Sequence, residues 1–175
     1  MNESAYYLGQ MLERLIHDAI DLQSELKKKK ADDFREGILA GKYLVIGKLF
    51  DAAASLGVFE ALPKDLQEHI TPLTLVEDLK KGDLTRILQL RDDFRNTSDE
   101  VAYGNLNLRA LYEDIIAEGL LLKKTRQSEF DEGELMGYSF CLLTLYNYVE
   151  FFVPELFDAL PEKLRKFVPE SLSLT

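Results

Sequence analysis

Residues 12–41 lie over residues 108–137 without a gap, and 12 of the 30 positions are identical. Random pairing at average composition gives about two. The matches include Leu12, Leu15, Asp18 and Ile20 with Leu108, Leu111, Asp114 and Ile116. Phe34, Glu36, Gly37, Leu39 and Gly41 match Phe130, Glu132, Gly133, Leu135 and Gly137. Further on, with the offset longer by two, Phe59-Glu-Ala-Leu-Pro63 matches Phe157-Asp-Ala-Leu-Pro161. Two matches in the same order point to a duplicated unit. A fold built this way must place two similar sets of elements around one axis or side by side.

The apolar spacing says what those elements are. Leu8, Leu12, Leu15, Ala19, Leu22 and Leu26 are spaced four, three, four, three, four, which is one seam of a helix. The run Lys27–Lys30 ends it, where cations complement the helix dipole; Lys123, Lys124 and Arg126 stand at the equivalent place. That recurrence favours a solvated helix end over an anion patch. A second helix starts near Asp33, with Glu36 completing a capping-box pattern, and ends before Gly57. Pro63 opens a short third helix at its first turn. The second copy repeats the order: a helix starting between Ser98 and Asn107, a long one from Ser128 to Phe152, and a short one from Pro161. No alternating strand pattern competes.

The fold expected is therefore all-α: a helical bundle of two tandem pseudo-symmetric three-helix units, each long, long, short. Residues 1–72 form unit 1 and 98–175 unit 2, with the two sharing one core. Residues 73–97 match neither copy and read as a short helical hairpin around Gly82. A helix-turn-helix is disfavoured there, because Asp78, Lys81 and Asp83 crowd the turn that such a motif packs with small or apolar side chains.

Gly37 and Gly41, like Gly133 and Gly137, sit four apart on one helical face. Glycine costs a helix interior about 1 kcal/mol against alanine, so two pairs kept in register need a reason. The expectation is that the two second helices cross at these glycines near a pseudo-twofold axis; the alternative is that each pair receives its own first helix.

Charge narrows the function. With 21 Lys and Arg against 31 Asp and Glu the chain carries a formal −10, which a nucleic acid backbone repels. No phosphate-binding loop, dinucleotide fingerprint or nucleophile elbow is present. Asp18, Glu36, Asp114 and Glu132 recur as pairs and are the candidates for a metal. Yet a dimetal carboxylate bundle needs Glu-x-x-His on two helices, and the only histidines are His17 and His69. No cofactor is called for. The single cysteine, Cys141, lies between Phe140 and Leu142 and reads as a buried small hydrophobe. The N-terminal residues show no secretion pattern and no run reaches the roughly 20 apolar residues of a membrane span, so the expected location is cytoplasmic.

Among 18 Tyr and Phe residues, many fall late: Tyr138, Tyr146, Tyr148, Phe151 and Phe152 are either core or an interface. The favoured function is a non-enzymatic partner-binding protein (adaptor, inhibitor or immunity-type neutraliser) with an acidic surface for a basic protein partner. The second reading is a helical-bundle metal protein or enzyme using the duplicated carboxylates. A homodimer through the aromatic helix is the third.

Overall fold

A computed structural model describes residues 3–30, 32–55, 64 and 108–173. All regular structure among them is helical: α1 (Glu3–Lys28), α2 (Asp33–Ser55), α3 (Leu108–Thr125), α4 (Glu129–Phe152), α5 (Pro154–Asp158) and α6 (Glu162–Arg165), followed by a 3-10 turn over Pro169–Leu172. Apart from Lys64, the helices expected from Pro63 and across residues 73–97 fall outside the described residues.

α1 buries the seam its spacing predicts. Leu8, Leu12, Leu15, Ala19 and Leu26 are buried, Leu22 partly so, and Met11 and Ile16 widen the stripe. Each large aliphatic side chain so buried contributes about 1.5–3 kcal/mol. The four-residue link to α2 turns the chain back, so the two helices pack antiparallel.

The start of α2 differs from the capping-box expectation. Asp32 is the capping residue: its Oδ1 accepts from the Arg35 backbone N–H at 2.7 Å, and its carbonyl accepts from the Glu36 N–H at 3.0 Å. Glu36 is one position too late to close a box on that cap, and is instead buried. Arg35 also reaches Glu25 of α1 at 2.6 Å. In α4 the cap is Ser128, whose hydroxyl accepts from the Asp131 N–H at 3.2 Å. Asp131 turns back to accept from the Gln127 N–H at 2.8 Å. Asp32 and Ser128 are 96 residues apart, as are the N–H groups they accept.

α2 and α4 form the most extensive helix pair. A Cβ on Gly37 would collide with the Phe130 carbonyl oxygen and stand 2.9 Å from the Glu134 nitrogen; one on Gly41 would collide with the Glu134 carbonyl and stand 3.1 Å from the Gly137 Cα. Reciprocally, a Cβ on Gly133 would strike the Phe34 carbonyl, and one on Gly137 the Ile38 carbonyl. The contact advances in the same direction along both helices, so α2 and α4 run parallel, backbone against backbone. Adding 96 to Phe34 and Ile38 gives the Phe130 and Glu134 that face the other glycine pair. The crossing is thus reciprocal in residue position.

α4 is apolar on most sides because it has neighbours on most sides: α2, α1, α3, α5 and the 3-10 turn. The C-terminal segment covers α3 and α4. Leu172 packs where a Cβ on Gly119 would meet its Cδ1 at 2.9 Å, Lys123 Nζ donates to the Ser171 carbonyl at 2.6 Å, and the Tyr146 hydroxyl donates to the Leu164 carbonyl at 2.7 Å.

Candidate functional site

Two features stand apart from the packed core: a buried ionic network and an exposed aromatic end.

The network centres on Lys48, which α2 carries into an apolar stretch. Its side chain is only 4% exposed. A buried ammonium requires compensating charge, and α3 supplies it from successive turns. Lys48 Nζ donates to Asp114 Oδ2 at 2.6 Å and to Glu118 Oε1 at 2.7 Å. Glu118 accepts in turn from the Tyr138 hydroxyl of α4 at 2.9 Å. Glu134, buried one turn before Tyr138, adds a further carboxylate. Burial first, then the charges of Glu118 and Glu134, hold the Tyr138 phenol neutral well above its ordinary value. Lys48, Glu118 and Glu134 do not stand out by repetition: Lys48 pairs with Thr144, Glu118 with Leu22, and Glu134 with Ile38. The available signal was the charge of Lys48 among the apolar residues 43–49, since lysine is almost never fully buried unless paired; it does not say which carboxylates the ammonium meets.

The four metal candidates do not converge. Asp18 is exposed on α1, Glu132 is exposed in the first turn of α4, Glu36 is buried in α2, and Asp114 is bound to Lys48. No group of three or more His, Cys, Asp and Glu side chains among the described residues is placed to hold a metal ion. His17 is half-exposed and lies 3.7 Å from Glu13, one turn away.

The five aromatic candidates divide. Tyr138 and Tyr146 are buried in the chain's own core, the first of the two readings their sequence allowed. Tyr146 packs on Tyr112 with ring centroids 4.5 Å apart, and burial pushes its phenol up to about 12. Tyr148 is half-buried and rests on Phe152 at 5.1 Å. Phe151 is 79% exposed and Phe152 is 39% exposed. Because α1 runs antiparallel to α2, its N-terminal turns arrive at the same end. Tyr7 stacks on Phe152 at 4.9 Å with rings 21° apart, and Tyr6, 47% exposed, meets Tyr7 edge-on. Tyr6 and Tyr7 were missed because they precede the repeated segment and carry no motif. Only the helix directions bring them to Phe151 and Phe152.

No protein-family model matches the chain, and no curated protein or solved structure matches it. No helix among the described residues is long and apolar enough to cross a membrane.

Proposed function

We propose that the chain is a non-enzymatic partner-binding protein built from two diverged copies of a long-long-short helical unit, and that the aromatic end formed by Tyr6, Tyr7, Tyr148, Phe151 and Phe152 is its docking surface. The observation that carries this reading is the cluster itself. Aromatic rings usually end in the core, and Phe151 leaves most of its ring in solvent. Protein interfaces are enriched in Tyr and Phe at their centres, where rigid rings bury area with little entropy loss. Glu150 and Glu155 border the rings and are exposed. With the chain at −10, they suit a partner that surrounds an apolar anchor with Lys and Arg. The two-unit reading is supported by the repeated caps at Asp32 and Ser128 and by the reciprocal glycine crossing.

The test is capture from an extract of the native host with the tagged chain, compared with Tyr6→Ser and Phe151→Ser. Phe151 is mostly exposed and Tyr6 about half so. Phe151→Ser should melt within about 2 °C of the parent, as exposed substitutions do, Tyr6→Ser somewhat lower for its lost contact with Tyr7, and both should lose the captured protein. Undiminished capture by both variants refutes the aromatic end as the docking surface. Light scattering at two concentrations separates this from self-association; a mass that stays at one chain is expected, because two copies at −10 repel.

A further inference from the structure

The Lys48 network is one-sided. Its members are Lys48 on α2, Asp114 and Glu118 on α3, and Tyr138 beside Glu134 on α4. The residue 96 positions after Lys48 is Thr144, whose hydroxyl donates to the Phe140 carbonyl of its own helix at 3.1 Å. The residues 96 positions before the acceptors and their neighbours are Asp18, Leu22, Lys42 and Ile38. A two-fold crossing that is reciprocal at its glycines is therefore unlike at this layer, and the matched set forms in one combination of helices.

We infer that the Lys48 network is a pairing device: it selects association of the first unit with the second over association of either unit with its own counterpart in another copy of this chain. The inference rests on the two-unit reading above. Two units that cross through the same glycine face can also pair like with like, since Gly37 and Gly41 would meet their own copies as readily as Gly133 and Gly137. At the next layer the choices separate. In a first-with-first pair, Lys48 would face Asp18 and Leu22, with Lys42 in the place of Tyr138: one carboxylate in place of two, and a like charge close by. In a second-with-second pair, Thr144 would face Asp114 and Glu118, and those carboxylates would sit beside buried Glu134 with no ammonium among them. Stranding one side of a buried ion pair costs far more than the intact pair contributes. A single polar residue in an apolar seam selects partners in the same way in coiled coils.

The experiment uses the full chain. Lys48→Met strands the carboxylates and should lower Tm by roughly 10 °C. Combining it with Asp114→Asn and Glu118→Gln removes both sides of the network and should recover most of that loss, while changing the formal charge by one unit. Refolded from denaturant at high protein concentration, the triple variant should yield several-fold more dimer than the parent by light scattering. Exchange of a first unit for another chain's first unit is open equally to both proteins, so the excess reports like-with-like pairing. Equal dimer yields overturn the inference, as does a triple variant that melts no higher than Lys48→Met. Failure of the two-unit reading shows separately: Gly37→Ala and Gly133→Ala, equivalent under that reading, would then lower Tm by clearly different amounts.

Discussion

Cys141 of α4 and Val45 of α2, 96 positions apart, are both fully buried. Burial pushes the Cys141 thiol up to about 12 from its ordinary 9.0, which disfavours the thiolate that reactivity needs. Tyr146 is pushed up to about 12 from 10.0 by the same cause, and Tyr112 and Tyr138 move in the same direction. In the unfolded chain these groups lose their protons at their ordinary values, while the folded chain keeps them. Between the two values the folded state binds more protons, so stability falls as pH rises. The contribution of Cys141 is fully present below pH 9.0 and that of Tyr146 below 10.0, and both are lost by about 12; those of Tyr112 and Tyr138 persist to higher pH. Tm should therefore hold steady up to about 9 and decline above it. Cys141→Val, which copies the other helix, should leave Tm at neutral pH almost unchanged, since a swap of near-equal volume costs less than about 1.5 kcal/mol. It should also delay the decline towards 10.0, where tyrosine begins to ionise. Melts at several alkaline pH values check this; parallel declines in parent and variant would show that the thiol contributes nothing.

At the scale of elements, the α2–α4 crossing governs everything else, because two helices with facing glycines approach until backbone meets backbone. Alanine at Gly37, Gly41, Gly133 or Gly137 places a methyl group against a carbonyl oxygen of the other helix. Helix propensity returns about 1 kcal/mol, but neither backbone can yield without separating the pair. A net loss of at least about 2 kcal/mol is expected for each, at the upper end of overpacking costs, or a Tm lower by about 4–8 °C. Gly47 is the internal control. It lies in the same helix as Gly37 and Gly41, and a Cβ there meets nothing within 4 Å among the described residues, so Gly47→Ala should raise stability by about 0.5–1 kcal/mol. Denaturant midpoints for the five variants test the contrast; a crossing-glycine variant as stable as Gly47→Ala would contradict the backbone contact. The caps provide a smaller check at the same scale: Asp32→Ala and Ser128→Ala should each cost about 1 kcal/mol.

For the whole molecule, the relevant quantities are the field of a chain at −10 and an aromatic end that this field surrounds. Under the proposed docking role, long-range attraction would act on encounter and the rings after contact, so salt and substitution should separate kinetically. Raising ionic strength from about 0.05 M to 0.5 M shortens the screening length from roughly 14 Å to 4 Å. For the captured partner this should slow association by an order of magnitude or more with little change in dissociation. Phe151→Ser should do the reverse, raising the dissociation rate. Surface plasmon resonance with the captured protein reads both. An association rate indifferent to salt would remove charge from the account of recognition, leaving the rings alone.

How much of this is legible in the sequence depends on whether a residue's role is periodic or positional. Helix identity, the α1 stripe from Leu8 to Leu26, and the glycine pairs are visible in sequence because local spacing along one chain determines them. The caps were legible only to within a residue: Asp32 and Asp33 are chemically alike, and the backbone geometry at the helix start chose the first. The partners of Lys48 were not legible, because an ion pair between residues 66 or 70 positions apart has no signature in either segment. Nor was the division of the late aromatics, since Tyr146 and Phe151 look alike in a helix that is apolar on nearly every side. The amino-acid order determined which faces are apolar and where backbones can touch. Only the tertiary arrangement decided which apolar face met a neighbour and which charge met its opposite, because burial is a property of what lies across a gap and not of what lies next along the chain.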